Sequence, residues 1–275
     1  MFIKEPDKSS NFVNCTLILP CVSVGNVGQL AADLLISNFS FERVGYIVHP
    51  SLLPCIGNNP YAVARDTLCH MTTCCEVYQN TDAKLVIMQQ RAPFVKKKGK
   101  EFASWLVSWI KESHFAQVIV LTSSFAQERI DQQLSGPPFR ILLTNEMDKK
   151  FGDELKNQLS WKELERRHSL PTPSPLQICE NGTGSQVLYM PGSGIAKQIF
   201  EKCQDLPVLV LLMFVSEGDN AGDAVAMADQ LNKWLKLKWP QNVDTGSGTR
   251  NPTTWSIPSS WRLVFGSTFD PILFQ

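Results

Sequence analysis

The chain has 275 residues, 43% of them hydrophobic and 19% charged, so it can bury a large core and is too apolar to be a disordered chain. Lysine plus arginine equals aspartate plus glutamate, 26 each. That balance disfavours a general binder of nucleic acid or membrane surfaces, because both need a basic excess.

Residues 1–8 are polar and carry acids, without the apolar centre of a signal peptide. Residues 1–12 are expected to be a flexible start, and the protein is expected in the cytoplasm and nucleus. The eight cysteines then read as reduced thiols, mostly buried as small hydrophobes. No C-x-x-C pair occurs, so neither a zinc site nor a thiol redox motif of that kind is expected.

Residues 16–36 are the stretch around which the rest is organised. An apolar run from Leu17 to Val24 has the length of a buried strand. Gly25 and Gly28 then bracket Asn26 and Val27, and Leu30, Ala31, Leu34 and Leu35 recur at helical spacing. Strand, glycine turn and helix form the opening unit of an α/β sheet, and the carboxyl end of such a strand is where ligands usually sit.

Residues 43–48 predict a second strand. The following loop, residues 49–61, is rich in Pro, Gly and Asn yet also apolar. An apolar loop marks a contact surface, and Leu52, Leu53, Ile56, Asn59 and Tyr61 are its candidate partner-binding residues. Strands are expected at 69–78 and 84–90, with the turn signal Asn80-Thr81-Asp82 making them an antiparallel pair. The basic run Lys96-Lys97-Lys98-Gly99-Lys100 reads as a solvated loop before a helix. That helix, 101–113, places Phe102, Trp105, Leu106, Trp109 and Ile110 on one broad apolar face.

Residues 118–121 predict a central strand, 139–143 another, and 148–159 a charged surface helix. Residues 166–184, with three prolines in Pro171-Thr172-Pro173-Ser174-Pro175, read as a mobile loop. The strand-turn-helix pattern returns at Met190-Pro191-Gly192-Ser193-Gly194, before a helix at 195–203. It returns again at 209–220, where Asn220 is expected to cap a helix with Asp223 in its first turn. A second mobile loop is expected at 241–254 and a free tail at 267–275. Together these units predict a single α/β domain with a mixed, mostly parallel sheet in three αβα layers.

The chemistry is sparse. There is no G-x-G-x-x-G, no phosphate-binding G-x-x-x-x-G-K-[ST], no G-x-S-x-G and no H-E-x-x-H. Asp131, Glu217, Asp219 and Asp223 are the acids available for proton transfer, and capping or solvation explains them equally well. The glycine turns leave one enzymatic alternative open, a nucleoside or phosphorylated small molecule held at helix starts. The C-terminus, Pro271-Ile272-Leu273-Phe274-Gln275, is apolar at a chain end, where such groups gain free energy chiefly when a partner buries them.

Five stretches in series resemble the proteasome assembly chaperone family. They are Leu19-Pro20-Cys21-Val22-Ser23-Val24-Gly25-Asn26-Val27-Gly28-Gln29-Leu30, Gly57-Asn58-Asn59-Pro60-Tyr61-Ala62 and Val118-Ile119-Val120-Leu121-Thr122-Ser123-Ser124. The others are Phe214-Val215-Ser216-Glu217-Gly218-Asp219-Asn220 and Ile257-Pro258-Ser259-Ser260-Trp261-Arg262-Leu263. The resemblance implies a fold similar to nucleoside phosphorylases without their chemistry, and no cofactor or metal. It implies a heterodimer with proteasome assembly chaperone 1 that binds proteasome alpha subunits, promotes alpha-ring assembly of the 20S core particle and prevents off-pathway ring association. It makes Gly25, Asn26 and Gly28 a signature turn. It also matches Leu273, Phe274 and Gln275 to a C-terminal hydrophobic-tyrosine-any tripeptide that enters pockets between alpha subunits. Phe274 stands where the family pattern has tyrosine, which removes a hydroxyl hydrogen bond.

Overall fold

Apolar runs that do not alternate with polar residues predict strands covered on both faces, and the centre of the sheet is built from them. The computed structural model describes residues 1–62, 70–168, 186–237, 239 and 255–263. In chain order the first half holds β1 (Phe2–Lys4), β2 (Thr16–Pro20), α1 (Val27–Asn38), β3 (Glu42–Ile47), β4 (Ile56–Asn58), β5 (Met71–Thr73), β6 (Cys75–Asn80), β7 (Leu85–Gln90) and α2 (Gly99–Glu112). The second half holds β8 (Gln117–Phe125), α3 (Asp131–Leu134), β9 (Phe139–Leu143), α4 (Asn145–Asp153), β10 (Arg167–His168), β11 (Gln186–Val187), α5 (Ala196–Lys202), β12 (Val208–Val215) and α6 (Ala221–Leu235).

Eight strands form one sheet in the order β1-β3-β6-β7-β2-β8-β12-β9. Its centre, β7-β2-β8-β12, is parallel. The flanks β1-β3-β6-β7 and β12-β9 pair antiparallel, so the sheet is mixed as expected. Alternate residues of each central strand feed opposite cores. Leu17, Leu19, Val118, Val120, Val208 and Val210 meet Phe102, Leu106 and Ile110 of α2 and Ile199 of α5. Ile18, Ile119, Leu121, Leu209 and Leu211 meet Leu34 and Leu35 of α1 and Ala228 and Leu231 of α6. Helices on both faces give the three αβα layers.

The structure corrects four local expectations. The first twelve residues are folded: β1 is an edge strand, and the rings of Phe2 and Phe12 pack on Trp109 at centroid distances of 6.2 and 5.7 Å. The strand expected at 69–78 is two strands with a bend at Cys74 between them. The helix expected at 148–159 begins earlier, where the Thr144 hydroxyl accepts from the Met147 N–H, and its last turn is a π turn, Glu154–Gln158, that keeps Leu155 buried. Asn220 does not cap α6 with its side chain. Its amide donates to the Gly218 carbonyl at 2.9 Å, while the Asp219 carboxylate accepts from the Ala221 N–H at 3.0 Å. Of the segments expected to be mobile, 169–184 and 241–254 lie outside the described residues, as does the tail 267–275.

Candidate functional site

The carboxyl ends of parallel strands are the first place to look for a ligand in an α/β sheet. Here β2 ends in the signature turn. Gly25 has φ +63° and Asn26 φ +53°, two successive left-handed residues that let the chain reverse into α1. Gly28 lies so close to β8 that a Cβ on it would stand 2.6 Å from the Leu121 carbonyl oxygen. A Cβ on Gly25 would strike the Asn220 side chain. Gly28 therefore serves close approach of α1 to the β8 backbone, and Gly25 the left-handed turn and the room taken by the Asn220 side chain.

The crevice beside this turn is filled by the segment 190–194. Thr122 donates its hydroxyl to the Ser193 carbonyl at 3.0 Å, and Ser124 donates to the Pro191 carbonyl at 2.7 Å. Ser123 donates to the Val24 carbonyl and shares a 2.7 Å contact with the Ser23 hydroxyl. Gly192 and Gly194 have φ +77° and +61°, and a side chain on either would collide with Val24 or with the Val22 carbonyl. The two glycine turns face each other, and the hydroxyls at the strand ends are spent on the chain's own carbonyls. Of the four candidate acids, Asp131, Glu217 and Asp219 are exposed. Burial raises the Asp223 carboxyl from its usual range. The enzymatic alternative loses the geometry that motivated it at these turns.

The loop candidates divide into two groups. Leu52 is buried, bridged to Phe94. Asn59 organises the loop itself, its N–H donating to the His70 carbonyl at 3.2 Å and its side-chain oxygen accepting from the Tyr61 N–H at 3.0 Å. Tyr61 donates its hydroxyl to Asp33 at 2.7 Å and accepts from Arg91 at 2.7 Å. Gln89 and Arg91 reach the same Asp33 oxygen at 2.7 and 2.8 Å, so a buried carboxylate on α1 anchors the loop to β7. Burial, then the adjacent Asp33 charge, pushes the Tyr61 phenol well above its usual range.

Leu53 and Ile56 are 43% and 70% exposed. They are joined at the surface by Val48, Met71 and Met1, all more than half exposed. Met1 and Val48 are tied together, the amino terminus donating to the Val48 carbonyl at 2.6 Å and the Val48 N–H to the Met1 carbonyl at 3.0 Å. Between Val48, His49, Leu52, Pro54, Ile56 and Cys74 lies an apolar cleft of about 480 Å³. Exposed apolar residues gathered beside a cleft on a sheet edge suit a protein partner. No local pattern marks Met1, Val48 and Met71: the chain start reaches Val48 only through long-range pairing, and Met71 joins them only through the β4–β5 hairpin. Leu273, Phe274 and Gln275 lie outside the described residues.

The profile of the PAC2 family matches residues 17–244. The chain is 41% identical over 276 residues to proteasome assembly chaperone 2 of Homo sapiens, covering 100% of both chains. It is 42% identical over 261 residues to proteasome assembly chaperone 2 of Xenopus laevis, covering 94% of each. Among solved structures it is similar to Pyrococcus furiosus PbaA, an archaeal homolog of proteasome-assembly chaperone, with TM-score 0.58 and 19% identity over 84% of this chain and 85% of that one. Pyrococcus furiosus PbaB, an archaeal proteasome activator, matches with TM-score 0.57 and 14% identity over 87% of this chain and 90% of that one. At these identities the two archaeal structures speak for the fold.

Proposed function

Because the chain belongs to the PAC2 family, which includes the proteasome assembly chaperones, we propose that it is a non-catalytic chaperone of proteasome assembly. It pairs with proteasome assembly chaperone 1, and the heterodimer holds alpha subunits while the ring of the 20S core particle assembles. The pair also keeps alpha rings from associating off pathway, in the cytoplasm and nucleus. The observation that carries this reading is identity above 40% over the full length of a proteasome assembly chaperone. The filled crevice supports it, because the sheet's usual ligand position is taken by residues 190–194 and binding is left to surfaces.

In this reading Leu273, Phe274 and Gln275 dock between alpha subunits. Burying Leu273 and Phe274 contributes about 1.5–3 kcal/mol each. The terminal carboxylate adds a handle for a lysine or a nest of backbone N–H groups. Co-expression with proteasome assembly chaperone 1, followed by mass determination of the purified complex, tests the pairing. A one-to-one heterodimer is expected, and a lone monomer overturns it. Deleting residues 273–275 and measuring capture of alpha rings by the heterodimer tests the tail. Weakened capture is expected, and unchanged capture removes the tail from the mechanism.

A further inference from the structure

The hairpin β4–β5 sets Ile56 opposite Thr73, Gly57 opposite Thr72 and Asn58 opposite Met71. Extended one step past its last pair, the same register brings Cys55 opposite Cys74, at the bend that follows β5. Opposed residues in an antiparallel pair have Cα atoms about 4.5–5.5 Å apart. A disulfide needs a Cα spacing of about 4.4–6.8 Å. Opposed residues also point to the same face, and both cysteines line the apolar cleft described above. They differ in access: Cys55 is exposed and Cys74 half-buried, whereas Cys15, Cys21, Cys75 and Cys203 are buried. Burial, then the neighbouring Cys55 thiol, raises the Cys74 thiol from its ordinary range.

We propose that Cys55 and Cys74 are a thiol pair that closes to a reversible disulfide by exchange with small disulfides of the glutathione class. The exposed Cys55 reacts first. Its thiolate attacks one sulfur of the small disulfide, the sulfur–sulfur bond breaks, and one small thiolate leaves with the electron pair. Cys74 then gives up its proton and attacks the Cys55 sulfur, expelling the second small thiolate. The protein loses two hydrogens and is oxidised by two electrons, and one small disulfide becomes two small thiols.

The bond would tie the open end of the β4–β5 hairpin across the cleft. That hairpin carries Ile56 and Met71, so oxidation fixes the exposed apolar surface in one shape. This last consequence rests on the partner reading above, whereas the formation of the bond does not.

The test uses the full chain without any partner. Protein is incubated with oxidised glutathione, remaining thiols are alkylated, and the cysteines are mapped by peptide mass. The expected result is a peptide pair joined through Cys55 and Cys74, loss of alkylation at both, and reversal by dithiothreitol. Cys55→Ser should abolish the linked pair, and Cys74→Ser should trap glutathione on Cys55. Glutathione retained on Cys55 of the wild type with Cys74 still alkylated would overturn the proposal, as would a link joining either residue to another cysteine. Partner capture by the reduced and oxidised protein is then compared separately, and equal capture would remove only the consequence for the surface.

Discussion

Replacing Gly28 with alanine should loosen α1 from the sheet. The added methyl would stand 2.6 Å from the Leu121 carbonyl oxygen and 3.0 Å from the carbonyl carbon. Ordinary carbon–oxygen contacts begin near 3.3 Å, so α1 and β8 must separate by roughly 0.7 Å. Both partners are backbone, so no rotamer change relieves the contact. The neighbouring Val27 and Ala31 are fully buried, and the shift is felt across the whole face. Overpacking of this kind costs about 1–3 kcal/mol. Alanine's helix propensity offsets at most about 1 kcal/mol, and less in the first turn, leaving a net loss of roughly 1–2 kcal/mol. Urea denaturation reads this as a midpoint lowered by about 0.5 M with unchanged slope. A Gly28→Ala protein as stable as the wild type would refute the claim that this glycine is present for close packing.

Three further perturbations probe the other features. Asp33→Ala leaves the Arg91 guanidinium and the Tyr61 hydroxyl without their shared carboxylate, and a loss of about 3–5 kcal/mol is expected by the same denaturation assay. A loss under about 1 kcal/mol would show that water replaces the carboxylate there. Glu5 is held below its ordinary 4.5 first by the Arg43 hydrogen bond, against burial. A lowered folded-state pKa gives stability that is complete above 4.5 and lost as pH falls through the lower folded value, so Glu5→Gln should flatten the acid limb of the stability profile. Equal limbs would remove Glu5 from the acid response. Ile56→Asp, at a residue 70% exposed, should leave the melting temperature unchanged and reduce capture of proteasome assembly chaperone 1 at least tenfold (about 1.4 kcal/mol). Full capture would move the partner surface elsewhere.

Much of the fold was legible because local pattern and tertiary context agree. The runs at 17–19, 118–121 and 208–215 are apolar without alternation, which is what a two-faced central strand requires. Phe102, Leu106 and Ile110 fall on one side of α2 as their spacing predicts. Other features depended on contacts that no local pattern records. β1 is a strand because Phe2–Lys4 finds β3, more than forty residues away. Tyr61 reads as an exposed loop aromatic until Asp33 and Arg91 are placed beside it. Asn220 has the composition of a cap, yet its side chain is turned toward Gly25. Cys55 and Cys74 are nineteen positions apart and match no cysteine motif, and only strand register sets them opposite each other.

The hydroxyls of Ser23 and Ser123 meet at 2.7 Å although 100 residues of chain separate them. β8 also takes its second parallel neighbour late, since Val118 pairs with Val208. During synthesis, therefore, the first 200 residues cannot complete the middle of the sheet. Until β12 has left the ribosome, β8 carries an unpaired edge whose first half, Val118 to Leu121, is wholly apolar. Contacts of such long range make for slow folding and a nascent chain prone to mispairing. A protein proposed to guard the assembly of others thus passes through a vulnerable stage of its own, and truncations ending before Val215 should accumulate as insoluble chain.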